Sequence, residues 1–269
     1  MNATGRLVLA PGRRGQPRIR ELRTAPPLGV ALAGGEVHLL GTAGGPVGGD
    51  ELHLEVLVTA GTVATVRSVA ATVATVGDGT ASFHTVNVTV EQGAFLRWLP
   101  QPLVAAEGCD HHLMATVILA PGADLIWSEH VVLGRHGEQP GRLRSTLRVI
   151  RDGRAVLHHG LDTAQPGWQG AAVTAGRRAL GVVAWVGAGA VAQAPDGGAP
   201  VMPQGRANAN GVRSPRDCWT VSRLAPDVVL AQGLANSHAG LAGVLWPDRV
   251  QSHPGRSTLA GRAKIDSRA

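Results

Sequence analysis

Apolar and polar residues alternate strictly in several stretches of the chain. The run LHLEVLV at 52–58 places Leu52, Leu54, Val56 and Val58 on one side and His53, Glu55 and Leu57 on the other. That two-residue period is the signature of a half-buried strand. A longer pattern lies over it. The segments LVTAGTVATV (57–66), VTVEQGAFLRW (88–98) and VILAPGADLIW (117–127) each read as a strand, a tight turn and a second strand. Gly61, Gly93 and Gly122 mark the turns, where glycine supplies the positive φ that a tight turn requires. A shorter echo, IRDGRAVL, follows at 150–157. A hairpin repeated at a spacing of about 30 residues cannot bury its apolar face alone, so successive units are expected to stack. The prediction is a mainly β protein of stacked or coiled hairpins. An ordinary β-sandwich with shared turn chemistry is the alternative.

Beyond about residue 167 the pattern changes. ALGVVAWVGAGAVA reads as an apolar strand, and QAPDGGAPVMPQGRANANG as a long exposed loop. In 218–246 a strand is expected first, then a helix carrying Val229, Leu230, Leu234, Leu241 and Leu245 near helical spacing. One or two short helices are thus placed towards the C-terminal part. The polar stretch from about residue 252 is expected to be mobile. No linker divides the chain, which reads as a single domain over 1–269.

Composition supports the β reading. The 269 residues include 37 Gly and 17 Pro, both unfavourable inside helices. They include no Tyr, two Phe and six Trp, so Val, Leu, Ala and Gly do most of the packing. The formal net charge is +6, and Lys264 is the only lysine. A basic balance permits an acidic partner. Yet outside GRRGQPRIRELR and GRLRSTLRVIRDGR the arginines are scattered, and no aromatic-interleaved basic stretch suits a nucleic acid. Cys109 and Cys218 are far apart and form no CxxC. No apolar run is long enough for a signal peptide or a membrane helix. A cytoplasmic setting without membrane contact is the expectation.

The densest candidate chemistry is EGCDHHL at 107–113. Glu107, Cys109, His111 and His112 are all metal-capable, but neighbouring histidines on a strand point to opposite faces, so only one can join Cys109. Remote donors could come from His130, or from His158 and His159. The first reading is a polar turn between strands; a weak metal contact comes second and a zinc hydrolase third. The glycine-rich GTAGGPVGGDEL (41–52) lacks the lysine of a phosphate loop and leads into a strand, not a helix. Its glycines read as turn-formers, with Asp50 capping backbone amides. Asp124, Glu129 and Glu138 could be posed as acid and base, but so could many triples.

Three ordered motifs carry a family resemblance: VHLLGTAGGPVGGDELHLEVLVTAG, GAFLRWLPQPLV, and LAPGADLIWSEHVVLGRHGEQPGRLRSTLRVIRDGRAVLHHGLD. Over roughly 36–162 the chain resembles the UreD (UreH) family of urease accessory proteins. Two departures stand out. SVAATVATVGDG replaces a segment in which the family carries a basic residue and a tyrosine, and Pro102 stands where the family has a carboxylate. The resemblance implies a coiled β fold with an internal passage for metal and no catalysis. It also implies partnership with UreF, the GTPase UreG and apo-urease in nickel insertion, with a homodimer inside the accessory complex as a further option. No tightly bound cofactor is expected, only nickel in transit. A carrier that passes metal on should hold it through few, exchangeable ligands. Asp50, Glu107, Cys109, His111 and His130 are the expected stations. The alternatives are a zinc-dependent hydrolase on Glu107, Cys109 and His111, and a basic β-rich module for nucleic acid or polysaccharide.

Overall fold

The computed structural model describes residues 1–195 and 218–245. Most of the loop expected at 193–211, and the tail beyond 252, lie outside the described residues. The order is β1 (Asn2–Pro11), β2 (Pro17–Arg23), β3 (Leu28–Ala33), β4 (Glu36–Gly41), β5 (Glu51–Val58), β6 (Val63–Ser68), β7 (Thr72–Ala74), β8 (Ser82–Val90) and β9 (Phe95–Leu99). There follow β10 (Leu103–Ala105), β11 (Asp110–Leu119), β12 (Asp124–Leu133), β13 (Arg142–Arg151), β14 (Arg154–Asp162), β15 (Ala179–Val186), α1 (Ala188–Val191), β16 (Cys218–Ala225), β17 (Val228–Ala235) and α2 (His238–Leu245).

Two sheets face each other. The first runs β14-β13-β11-β8-β5-β1-β2, the second β16-β17-β15-β12-β9-β6-β4-β3. The stacked β architecture is as the sequence predicts, but the repeating unit is not a hydrogen-bonded hairpin. β5 and β6 lie in opposite sheets, as do β8 and β9, and β11 and β12. Each unit is an arch across the core, and its strands pair with the next unit instead. β5, β8, β11 and β13 are parallel neighbours in register, and β6, β9 and β12 likewise. The short β7 and β10 pair in parallel, and β10 joins them to the second sheet through β12. The sequence signal is the same for both geometries, because a hairpin and an arch each need a strand, a glycine turn and a strand.

Gly61, Gly93 and Gly122 take φ of +66°, +66° and +71°. Each turn closes with a backbone bond, from Thr62 to Thr59, Ala94 to Glu91 and Ala123 to Ala120. The fourth echo is a true hairpin: β13 and β14 are antiparallel, and Asp152 and Gly153 both have positive φ, as a primed turn requires.

The alternation read from 52–58 is observed. Leu54, Val56 and Val58 are buried with Val86, Val88, Val117, Leu119 and Leu147 against Leu96, Trp98, Leu125 and Trp127 of the second sheet. Trp98 and Trp127 stack at 5.0 Å between ring centroids and 5° between planes, which adds about 0.5–1.5 kcal/mol to their burial. The second sheet is covered on its other face too. Leu99, Ile126, Val183, Trp185, Val229 and Leu241 form a smaller core beneath α1 and α2. The helix expected to carry Val229 and Leu234 is shorter: those residues and Leu230 belong to β17, and only 238–245 is helical. A strand buried on both faces is apolar throughout, which removes the two-residue period that would have identified it.

Candidate functional site

The interior is not fully packed at the end where the 42–50 and 69–71 loops lie. A cavity of about 740 Å³ opens between the sheets. Its walls are Leu52, Leu54, His84, Val86, His111 and Leu113 from the first sheet and Leu39, Trp98, Trp127 and Glu129 from the second, with Gly44–Val47 and Ser68–Thr72 at the rim. A second cavity, of about 440 Å³, is bounded by His159, Leu161, Leu180, Cys218, Trp219 and Gln232. Glu129 lines both.

Strand register places the polar groups. Ser82, His84, Val86 and Val88 alternate inward on β8, and His111, Leu113, Ala115 and Val117 on β11; His111 pairs with Ser82 and Leu113 with His84. His111 is fully buried, and its Nδ1 lies 2.9 Å from Ser82 Oγ. Its neighbour His112 points the other way and packs on Phe83 at 4.8 Å. Glu129 is 8% exposed and accepts a hydrogen bond on Oε1 from Ser145 Oγ. Three buried polar atoms here, His84 Nε2, His111 Nε2 and Glu129 Oε2, have no hydrogen-bond partner among the described residues. Burial dominates their titration. It pulls His84 down to about 4 and His111 down to about 3, and it raises the Glu129 carboxyl while the side chains of Ser145 and then Trp127 oppose it. At neutral pH both imidazoles are uncharged and each carries one ring-nitrogen lone pair; on His111 that lone pair sits on Nε2 in the tautomer whose Nδ1–H donates to Ser82 Oγ.

The five residues singled out in the sequence fall in different places. His111 and His130 line the larger cavity. His130 also reaches the helix-covered side, with Nδ1 3.2 Å from His238 Nε2, and burial lowers it to about 4. Asp50 is buried at the base of the glycine loop, where its carboxylate accepts from Val47 N (2.9 Å) and from the Met1 amino group. Cys109 is buried; burial, then Asp110, pushes its thiol up to about 11, and Sγ lies 3.7 Å from Arg142 O. Glu107 is an exposed loop clasp. Its carboxylate accepts from Gln139 N (3.3 Å), while its own N–H donates to Glu138 Oε2 (3.2 Å). The Arg135 guanidinium bonded to Glu138 holds that carboxyl down to about 2. Among the described residues no three His, Cys, Asp or Glu side chains converge on a metal-sized point. The Glu107–Cys109–His111 centre of a hydrolase therefore does not form. The triple of Asp124, Glu129 and Glu138 is likewise dispersed: Asp124 accepts from Ala190 N at 2.9 Å, and Glu138 stays in its loop.

His84 was the residue that the sequence left unmarked, and Glu129 had been named only as one member of a possible acid–base triple. The legible clue was parity: each shares its strand's inward face mainly with apolar residues, Leu125, Trp127 and Val131 beside Glu129, and Val86, Val88 and Val90 beside His84.

Residues 2–250 match the UreD urease accessory protein family. The chain is 40% identical over 197 residues to the urease accessory protein UreD of Parafrankia sp. (strain EAN1pec), covering 63% of this chain and 66% of that protein. It is 45% identical over 150 residues to the UreD of Streptomyces avermitilis, covering 54% and 59%. It is 37% identical over 217 residues to that of Streptomyces coelicolor, covering 76% and 85%. The matched stretches thus span just under two thirds of the first two relatives. With a stacked β fold, an inner cavity and a family match over nearly its whole length, the chain belongs to the UreD family of urease accessory proteins, a non-catalytic family.

Proposed function

We propose that this chain is a scaffold of urease maturation. It binds apo-urease together with UreF and UreG and assists GTP-dependent nickel insertion, with the paired cavities as the metal's route. One observation carries this reading: three side chains with a buried polar atom that lacks a hydrogen bond among the described residues, His84, His111 and Glu129, line the space between the sheets, and Glu129 borders both cavities. Imidazole nitrogen and carboxylate oxygen suit a borderline divalent ion such as nickel. Dispersed donors bind in ones and twos, so the ion exchanges instead of being retained. His111 and His130 keep the role expected of them, and His84 and Glu129 join them. Asp50, Glu107 and Cys109 are given the task of holding the walls. No cofactor is held tightly, and two distant unpaired cysteines suit a reducing cytoplasm.

The test is co-expression of the chain with urease subunits, UreF and UreG under limiting nickel. Wild type is expected to co-purify with apo-urease and to raise urease nickel content. The triple variant His84→Leu, His111→Leu, Glu129→Leu is expected to co-purify equally but to lower nickel per urease roughly tenfold, as loss of a ligand set does. Full activation by the triple variant would end the metal-route reading. Absence of any wild-type association with urease or UreF would end the scaffold reading.

A further inference from the structure

The outer face of the first sheet carries a charge pattern that the metal route does not use. Four adjacent strands, β5, β8, β11 and β13, are parallel and in register. Parallel sheets are almost always covered on both faces, yet here Met114 and Ile118 in the middle of the face are 39% and 48% exposed. Going across, the outward column of β5 is acidic, with Glu51 and Glu55. The columns of β8 and β11 are largely uncharged. The column of β13 is basic, with Arg144 and Arg148.

Register makes the pattern self-matching. Glu55, Asn87, Thr116 and Arg148 form one row across the strands. Glu51 and Arg144 end another row, and Leu57 and Ile150 a third. A two-fold axis parallel to the strands, between β8 and β11, exchanges the β5 and β13 columns at constant height. Each row then meets itself reversed: Glu55 faces Arg148, Glu51 faces Arg144, Leu57 faces Ile150, and Ile118 faces Thr89. An axis across the strands would instead oppose arginines to arginines. We infer that this face is an isologous docking surface for a second copy of the chain, with acidic and basic columns setting the alignment.

Some of these charges have partners within the chain. Glu55 lies 3.0 Å from Arg6, and Arg144 lies 2.9 Å from Asp162. Glu51 and Arg148 form no ion pair among the described residues and are open to a second copy. Three interstrand steps of about 4.8 Å by six residue rises of about 3.3 Å outline a patch smaller than the ~800 Å² per partner of a stable complex. The pairing is therefore weak, salt-sensitive and favoured at high protein concentration.

Sedimentation equilibrium of the full chain, from micromolar to hundreds of micromolar, tests this. Wild type should dimerise at about 0.05 M salt and less at about 1 M. Arg148→Glu and Glu55→Arg should each weaken dimerisation roughly tenfold by opposing like charges, and the double variant, which swaps the columns, should recover it. Thermal melting of each variant confirms folding, and Ile118→Arg gives a second, uncharged-centre disruption. A wild-type monomer throughout, or a double variant no better than the singles, overturns the inference. So does a face whose variants lose a urease-maturation partner while the self-association of wild type is absent.

Discussion

The glycine loop before β5 offers the sharpest stability test. Two of its glycines look alike in sequence and are opposite in structure. A Cβ on Gly48 would stand 2.2 Å from Val76 O and 2.7 Å from Thr80 O. Both are backbone atoms and cannot rotate away. A Cβ on Gly44 would meet nothing within 4 Å. The 42–50 and 75–81 segments cross at Gly48, held by Gly48 N to Thr75 O (3.1 Å), Gly49 N to Ala81 O (3.2 Å) and Thr75 N to Pro46 O (2.9 Å). Gly48→Ala forces the two backbones apart by about 1 Å. If two of those bonds are lost at about 1 kcal/mol each, and overpacking adds about 1–3 kcal/mol, the cost is about 3–5 kcal/mol. For a chain of this size that lowers Tm by roughly 10 °C. Gly44→Ala should stay within about 0.5 kcal/mol of wild type. Differential scanning fluorimetry followed by calorimetry reads both. A Gly48→Ala protein melting with wild type, or a Gly44→Ala protein melting as low as Gly48→Ala, would refute the crossing argument.

Other outcomes follow from the buried groups. His84 and His111 have folded pKa values of about 4 and 3, below the free value of 6.5. Their contribution to stability is present above pH 6.5 and is lost as pH falls towards those values; His111→Asn should flatten that acid limb in denaturant titrations. Glu129 has the opposite sign. Its folded pKa is raised above 4.5, so its contribution is complete below pH 4.5 and is lost as pH rises through the folded value. Glu129→Gln should gain stability relative to wild type at pH 8 and none at pH 4. The Cys109 thiol, buried and raised to about 11, should resist iodoacetamide at pH 8, whereas the half-buried Cys218 is alkylated first; peptide mass spectrometry on a time course decides. Trp98→Ala removes half of the indole stack and should cost about 3–5 kcal/mol by chemical denaturation.

What was legible in the sequence was local. Alternation fixed which residues of β5, β8 and β11 face inward, and Gly61, Gly93 and Gly122 fixed where the chain turns. Whether a turn returns a strand to its own sheet or sends it across the core depends on contacts made by residues some 30 positions away, which no local window holds. β17 was misread because burial on both faces erases its alternation. Glu107 and Cys109 drew notice as ligands by neighbourhood, yet an exposed loop clasp and a buried apolar cluster claim them. Glu129 was noted only as one of many possible acid–base triples, because its meaning is positional: one carboxyl among apolar neighbours, inward, where two cavities meet. The glycines before β5 were read as turn-formers and Asp50 as a cap; the cap is found on Val47 N, whereas the backbone crossing that requires Gly48 was not foreseen, because it depends on the distant 75–81 segment.

The parallel coils have a further consequence. A stack whose strands pair in register leaves, on its last coil, the same row of unmet amide and carbonyl groups that its first coil offers, so nothing intrinsic to the coil limits growth into a fibre. Here both ends of both sheets finish in antiparallel partners: β2 and β14 on one sheet, β3 and β16 on the other. Reversing strand direction ends the parallel, in-register pairing, so a neighbouring molecule's coil cannot continue the stack in its own pattern. The closing ribbons act as terminators, as capping units do in repeat proteins, and they keep a sequence built for stacking at a defined, finite height.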